Sequence, residues 1–436
     1  MKFLNLILYL STLINAKYIL VDSTRPISQL DQIKKEKFQD EEIIPQDISY
    51  YAKQVTPMKL STQKKYDKDY NQKYFYPWNI KSVKKTKMHF GWSAKMIIRR
   101  PIYNINGKRI SYLKIKEWID NANFQNLGLI DTKAIVIKHS NLKALPTFSS
   151  FYLDKKGKYL FDFNYNQNSA IYPNTPIFIS HFSSDKKWAY VIAPYSFGWI
   201  NISNIAIATK KFIKKFKTNK YAIAIKDNSK ILKDSVAYTL VKLGTIFPIK
   251  NKNYILATKD SDGYATIENL EVNNSQSIAQ KPLKFNSENV SKIAKEFIGE
   301  PYGWGGGFYC RDCSATTRDF FSVFGIFLSR NSASQAREGK RIHIPKKSYK
   351  FRKNFILKYA KPFRSLMYVR GHIALYLGQY KNEPIIMHSY WGIRKKDWSK
   401  IITARTIIST LEPAKNRDDT RVKSRLIYTL TDIINF

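Results

Sequence analysis

Hydrophobic and polar positions change rhythm several times along the chain, and each change marks a different kind of element. The first sixteen residues, MKFLNLILYLSTLINA, form an apolar run behind Lys2, broken by Asn5, Ser11 and Thr12 and closed by the small Ala16. This layout predicts a secretory signal peptide over 1–16, too short and too polar at its end to span a bilayer. Residues 17–130 read as a partly helical N-terminal region. A polar stretch dense in Lys, Gln, Asp and Glu leads to YFYPWNI (Tyr74–Ile80), whose aromatics predict packing against the rest of the protein. SYLKIKEWIDNANFQN, 111–126, carries a helical pattern through Leu113, Ile115, Trp118 and Ile119.

From about 133 the rhythm shortens to that of strands. TPIFISHFSSDKKWAYVIAPYSFGWINISNIA predicts a strand, a polar turn at Ser183–Lys187, a strand, a turn near Ser196 and a short strand from Gly198. Residues 133–207 therefore predict a small β-barrel. A weaker second copy, KLGTIFPIKNKNYILATKDSDGYATIENLEV, places another at 220–272, with one larger sandwich as the alternative. NSQSIAQKPLKF, 274–285, reads as a linker. A helix is then capped by Asn286 or Ser287, carries Val290, Ile293, Ala294 and Phe297 on one face, and ends at Gly299. The domain it opens runs over 287–432, and the fold class overall is α+β.

Composition narrows the function. The 436 residues include 74 Lys and Arg against 33 Asp and Glu, a formal net charge of +41. Such a surface attracts polyanions, among them nucleic acid, anionic lipid and acidic cell-wall polymers. The basic residues are spread along the chain and show no zinc-finger spacing or RNA-binding signature, so no specific nucleic-acid partner is predicted. No segment after the leader reaches about 18 apolar residues, so stable membrane insertion is not predicted either. With two Cys, the chain is not a disulfide scaffold.

Both cysteines lie in YCRDCSATTRDFF, Tyr309–Phe321. A Cys–x–x–Cys pair reads as a redox couple, half a metal site, or a nucleophile beside a bystander. The triple glycine Gly305–Gly307 precedes it. After Cys313 the pattern turns helical through Ala315, Phe320, Val323 and Phe324, so Cys313 occupies a helix's first turn, where backbone N–H groups favour a thiolate. A thiolate nucleophile also needs an imidazole. Of the six His, His89, His139 and His181 fall in earlier regions and His343 in a basic loop. His372 opens the strand GHIALYLG, and His388 ends EPIIMH after a turn at Gln379–Asn382, so one hairpin carries both. A zinc site built from both Cys and both His is the minor alternative.

The order PYGWGG, DCS, a helix, FLSRNSASQ, GHIALYLG and MH resembles the NlpC-type cell-wall peptidases, papain-like cysteine endopeptidases that cut peptidoglycan stem peptides. The likeness spans about 287–432. The sub-pattern is similar to the branch with bacterial SH3-like domains ahead of the catalytic domain, which implies two SH3-like barrels and an N-terminal stabilising region. The resemblance implies Cys313 as nucleophile, His372 as general base and His388 as third polar member. It implies Asp312, Ser314, Ser332, Tyr302 and Trp304 as substrate-lining residues, with Asp312 holding a free stem-peptide amine, and leaves Cys310 a bystander. It further implies hydrolysis at an L-Ala-γ-D-Glu or γ-D-Glu-diaminopimelate bond, peptidoglycan or muropeptide as the partner, no cofactor or metal, and a secreted or periplasmic, wall-associated monomer. A degenerate, non-catalytic wall-binding protein is the alternative.

Overall fold

The structure is a computed structural model and describes residues 35–83, 97–153, 163–227, 229–233, 236–270 and 277–436. The predicted signal peptide and His89 lie outside these residues. The fold is α+β, as the sequence predicts.

The first sheet is antiparallel with strand order β3-β2-β6-β5-β4-β1-β7: β1 (Thr132–Val136), β2 (Ser140–Lys143), β3 (Gln167–Ile171), β4 (Pro176–Phe182), β5 (Trp188–Ile192), β6 (Phe197–Asn201) and β7 (Ile205–Ile207). The strands and turns of the 176–207 segment fall where the alternation places them. Both faces of β4 are nonetheless buried, because the N-terminal region covers the sheet. Trp78 Nε1 donates to the Ala134 carbonyl at 2.8 Å, and the Tyr74 hydroxyl to that of Asn174 at 3.0 Å. Tyr74, Phe75 and Trp78 of YFYPWNI are thus buried in the packing around the first sheet, whereas Tyr76 is exposed. The helix Tyr112–Asn121 forms, but Leu113 is exposed and only Ile115 and Trp118 of its expected apolar face are buried.

The second sheet has order β13-β12-β11-β8-β14 and is built from β8 (Tyr221–Ala224), β11 (Ile246–Lys250), β12 (Asn253–Lys259), β13 (Ala265–Leu270) and β14 (Ile278–Lys281). A separate ribbon pairs β9 (Ser229–Lys233) with β10 (Val236–Val241). The segment read as a linker departs from expectation. Its Ile278–Lys281 stretch is the edge strand β14, paired with β8, so pairing with a distant partner overrides a polar local composition.

The third sheet holds the chemistry. Its order is β15-β20-β16-β17-β18-β19, with β15 (Lys340–His343), β16 (Ser365–Val369), β17 (His372–Tyr380), β18 (Glu383–Arg394), β19 (Lys400–Thr410) and β20 (Asp432–Asn435), all paired antiparallel. Alternate residues of β17 serve two cores. Ile373, Leu375 and Leu377 join the central core with Phe320, Val323 and Phe324, whereas Ala374 and Tyr376 pack with Ile356 of the helix Tyr349–Tyr359. The β17–β18 hairpin turns through Lys381 and Asn382, both at positive φ (46° and 61°), the geometry that matches the twist of a tight hairpin. The helix Cys313–Val323 is buried on every side, not on one face, because the two earlier sheets and the third sheet enclose it.

Candidate active site

Asp312 closes the helix start: it is the N-cap, and its Oδ1 accepts from the Ala315 N–H at 2.9 Å. Cys313 is the first helical residue and is buried. The Ile373 N–H, one residue beyond His372, interacts with its sulfur. This contact brings the helix start to the head of β17. Across the β17–β18 hairpin, His372 Nε2 lies 2.9 Å from His388 Nδ1. His388 Nε2 lies 3.1 Å from Ser409 Oγ on β19. Tyr390 stacks on His388 with ring centroids 4.4 Å apart, walling the imidazole pair.

The thiolate expectation fails in the resting site. Burial, and then the neighbouring Asp312 carboxylate, push the Cys313 thiol up to about 12, against which the Ile373 and Ser314 amides and Arg330 act only in part. The helix N-terminus is positive, but Asp312 already occupies it. This was legible in the sequence, since an Asp immediately before a helix start is a cap. Burial pulls His372 down to about 4 and His388 well below its ordinary value. Thiol and imidazoles are therefore all neutral at rest.

Of the predicted substrate-lining residues, Asp312 and Ser314 are both tied to a residue the motif reading missed, Arg330. Its guanidinium holds both Asp312 oxygens, at 2.9 and 2.7 Å, and the Ser314 hydroxyl at 2.9 Å. Its Nε reaches Ser169 of the first sheet at 3.0 Å. Burial raises the Asp312 carboxyl, but Arg330 and the Ala315 amide overcome it and hold the group below its ordinary value. Asp312 also accepts from the Gly305 N–H at 3.1 Å, so its lone pairs are engaged internally. Ser332 begins the short helix Ser332–Gln335 and is half-buried. Tyr302 and Trp304 join an aromatic group with Trp391 and with Phe163, which precedes β3; Phe163 lies 4.9 Å from Trp304 and 5.3 Å from Trp391 between ring centroids.

The glycine loop is pressed on the first sheet. Gly305 and Gly306 take φ of 62° and 77°, and a Cβ on Gly305 would come 2.5 Å from the Gln167 carbonyl oxygen. Gly305→Ala is expected to destabilise this junction by about 1–3 kcal/mol through strain and overlap. A melting temperature equal to wild type would contradict that close approach.

Cys310 is half-buried, with its Sγ directed to the Phe308 carbonyl, and no disulfide joins it to Cys313. Among the described residues, no group of three or more His, Cys, Asp or Glu side chains is gathered in a metal-holding arrangement. His139, in the connection between β1 and β2, stacks on Tyr309 with ring centroids 4.0 Å apart, and burial lowers it to about 3.

Buried neutral imidazoles make stability depend on pH. His139 and His372 bind a proton more weakly folded than unfolded, so their contribution is complete above the unfolded value of 6.5 and is lost as pH falls through about 4 for His372 and about 3 for His139. The unfolding free energy, read from urea denaturation, is expected to fall between pH 6.5 and pH 5 by on the order of 1 kcal/mol per pH unit for each imidazole. Raised carboxyls such as Glu300 act in the opposite sense, so the reading is taken against His139→Gln: an unchanged pH dependence in that variant would show that the ring is not buried as a neutral species.

Three family models match the chain: the NLPC_P60 stabilising domain, N term, over 6–126; the SH3 domain of SH3b1 type over 146–201; and the NlpC/P60 family over 299–408. The fold is similar to that of an NlpC/P60 endopeptidase from Photobacterium damselae subsp. piscicida, with a TM-score of 0.81 at 21% identity over 92% of this chain and 99% of that one. An NlpC/P60 family protein from Bacillus cereus aligns over 62% of this chain and 82% of its own at 14% identity, with a TM-score of 0.42. No curated protein sequence matches the chain. Among the described residues, no helix is long and apolar enough to cross a membrane. The NlpC/P60 model falls on the segment that carries Cys313, His372 and His388, so the chain carries an NlpC/P60 domain, with an NLPC_P60 stabilising domain and an SH3 domain ahead of it.

Proposed function

We propose that this protein is a secreted cysteine endopeptidase that hydrolyses peptidoglycan stem peptides at a γ-D-glutamyl bond, either L-Ala-γ-D-Glu or γ-D-Glu-diaminopimelate, using Cys313, His372 and His388. The observation that carries this reading is the meeting of a buried cysteine at a helix start with the head of a hairpin whose two imidazoles are hydrogen-bonded to each other.

In this reading the reactive thiolate is made on demand. Proton transfer from Cys313 to His372 leaves the total charge of the pair unchanged, so the dry site that opposes either ion alone tolerates the ion pair far better. The thiolate attacks the scissile carbonyl, with the Cys313 backbone N–H as a donor to the oxyanion. His372 then protonates the leaving amine and activates water to cleave the thioester, while His388 keeps its ring oriented. Arg330 holds Asp312 and Ser314 as a fixed wall beside the nucleophile. Tyr302, Trp304 and the facing Phe163 give the groove an aromatic side, and Ser332 opens the short helix Ser332–Gln335. A free stem-peptide amine at Asp312 would share the carboxylate with Arg330 and would not meet an open one.

The test is mass spectrometry of peptidoglycan and defined muropeptides after incubation with the protein. Fragments whose masses place the cut at a γ-D-glutamyl bond support the proposal, and the masses name which bond. Intact muropeptides after incubation with folded protein would overturn it in favour of a wall-binding role.

A further inference from the structure

We infer that Ser409 is the positioning residue that sets which nitrogen of each active-site imidazole carries its proton, and that Asp40 of the N-terminal region holds Ser409 in register through Thr410. The inference rests on the reading above that Cys313 and His372 exchange a proton.

The tautomers follow from the number of protons the three side chains can share. A serine hydroxyl has one proton to give. The Ser409 hydroxyl donates to the Thr410 carbonyl at 2.8 Å, so toward His388 Nε2, 3.1 Å away, it acts as an acceptor. His388 must therefore carry its proton on Nε2, which leaves Nδ1 with a lone pair. That lone pair accepts from His372 Nε2 at 2.9 Å, so His372 also carries its proton on Nε2. His372 Nδ1 is then unprotonated, the state a base needs to take a thiol proton. Flipping one ring alone would set two donors or two acceptors against each other between the imidazoles, and flipping both would leave His388 Nε2 an acceptor facing the oxygen of Ser409, whose proton already goes to Thr410. Ser409 and His388 are both buried, so water is excluded as a substitute partner.

The anchor lies far away in sequence. Asp40 begins the short helix Asp40–Ile43 and is buried. Its Oδ2 accepts from both the Thr410 backbone N–H and the Thr410 hydroxyl, each at 2.7 Å. The last residue of β19 is thus pinned by the N-terminal region, and the carbonyl that takes the Ser409 proton belongs to that same residue. A chain of hydrogen bonds runs from Asp40 through Thr410, Ser409 and His388 to His372.

The experiment is 15N NMR of the full chain labelled at histidine, in which the ring nitrogen shifts report the tautomer directly. Only six His are present, and single-site variants assign them. Both His372 and His388 are expected as the Nε2–H form; an Nδ1–H form on either ring overturns the inference with no variant needed. In Ser409→Ala, the single tautomers are expected to give way to mixtures. The value of kcat should fall on the order of ten- to a hundred-fold with KM little changed, less than the roughly 10⁴ seen when a wrong tautomer is forced. Ser409→Thr, which restores the hydroxyl, should recover both readouts. Unchanged tautomers in folded Ser409→Ala would overturn the role of Ser409, and unchanged tautomers and kcat in Asp40→Ala would overturn that of Asp40. Because the shifts are read without substrate, a chain that cleaves no muropeptide refutes the proposed function while leaving the tautomer assignment independently decided.

Discussion

Cys313→Ala is expected to lower muropeptide cleavage by on the order of 10⁴-fold or more, with melting nearly unchanged, whereas Cys310→Ala should retain activity within about threefold. The contrast follows from position. Cys313 heads the buried helix, with the Ile373 amide against its sulfur. Cys310 sits three residues earlier, half-buried, and points at a carbonyl. In the proposed mechanism, removing Cys313 deletes the covalent route entirely, while removing Cys310 changes local packing only. His372→Ala should match Cys313→Ala, because acid and base act as a unit and their losses do not add. His388→Asn keeps an acceptor for His372 Nε2 and should cost less than His388→Leu, which supplies none. Comparable losses from Cys310→Ala and Cys313→Ala would mean that the two sulfurs act as a pair, and the proposed mechanism would be wrong.

The largest effect on stability is expected from Arg311→Leu. Arg311 is buried and its guanidinium meets three carboxylates: Asp227 beside the second sheet at 2.7 Å, Glu300 at 2.9 Å and Asp319 at 2.6 Å. Lys242 shares two of them, Asp227 at 2.6 Å and Glu300 at 3.0 Å. The cluster joins the second sheet to the residue immediately before Asp312 and Cys313. Burial raises Asp227, but Arg311 and Lys242 overcome that and hold it well below its ordinary value; at Glu300 burial prevails and the group is raised. Taking out one partner of such a cluster leaves buried charge uncompensated and is expected to cost about 3–5 kcal/mol, far more than the gain from having the ion pairs in the first place. Arg311→Leu should therefore shift the denaturant midpoint strongly and expose the junction between the second sheet and the NlpC/P60 domain to protease. A shift below about 1 kcal/mol would show that the cluster is hydrated and worth no more than a surface pair.

What could be read from the chain alone differs element by element. The helix Ser287–Lys295 has its predicted Asn286 cap, with the side chain accepting from the Asn289 N–H, and Gly299 beyond it at φ 78°. The strands β4, β5 and β6 and the β17–β18 hairpin were likewise visible, because alternation and turn chemistry act over a few residues. Strand β14 was missed because its composition is that of a loop and its only strand-forming influence is β8, some fifty residues earlier in the chain. The exposed Leu113 shows the same limit in the other direction, since periodicity marks an apolar face without saying whether a neighbour covers all of it.

The candidate site divides in the same way. The order and spacing of Cys313, His372 and His388 pointed to nucleophile and imidazoles from residue types alone, because that chemistry needs those groups whatever surrounds them. Their protonation could not be read so. Whether Cys313 rests as thiol or thiolate depends on how much water reaches it and on Asp312, whose own state is held by Arg330, 18 residues on. Arg311 finds Asp227 across 84 positions, and Asp40 finds Thr410 across 370. Caps, turns and strand periods are energies of near neighbours in sequence and so are written locally. Charge states and tautomers are energies of near neighbours in space, set by burial and by partners that meet only when distant segments pack together.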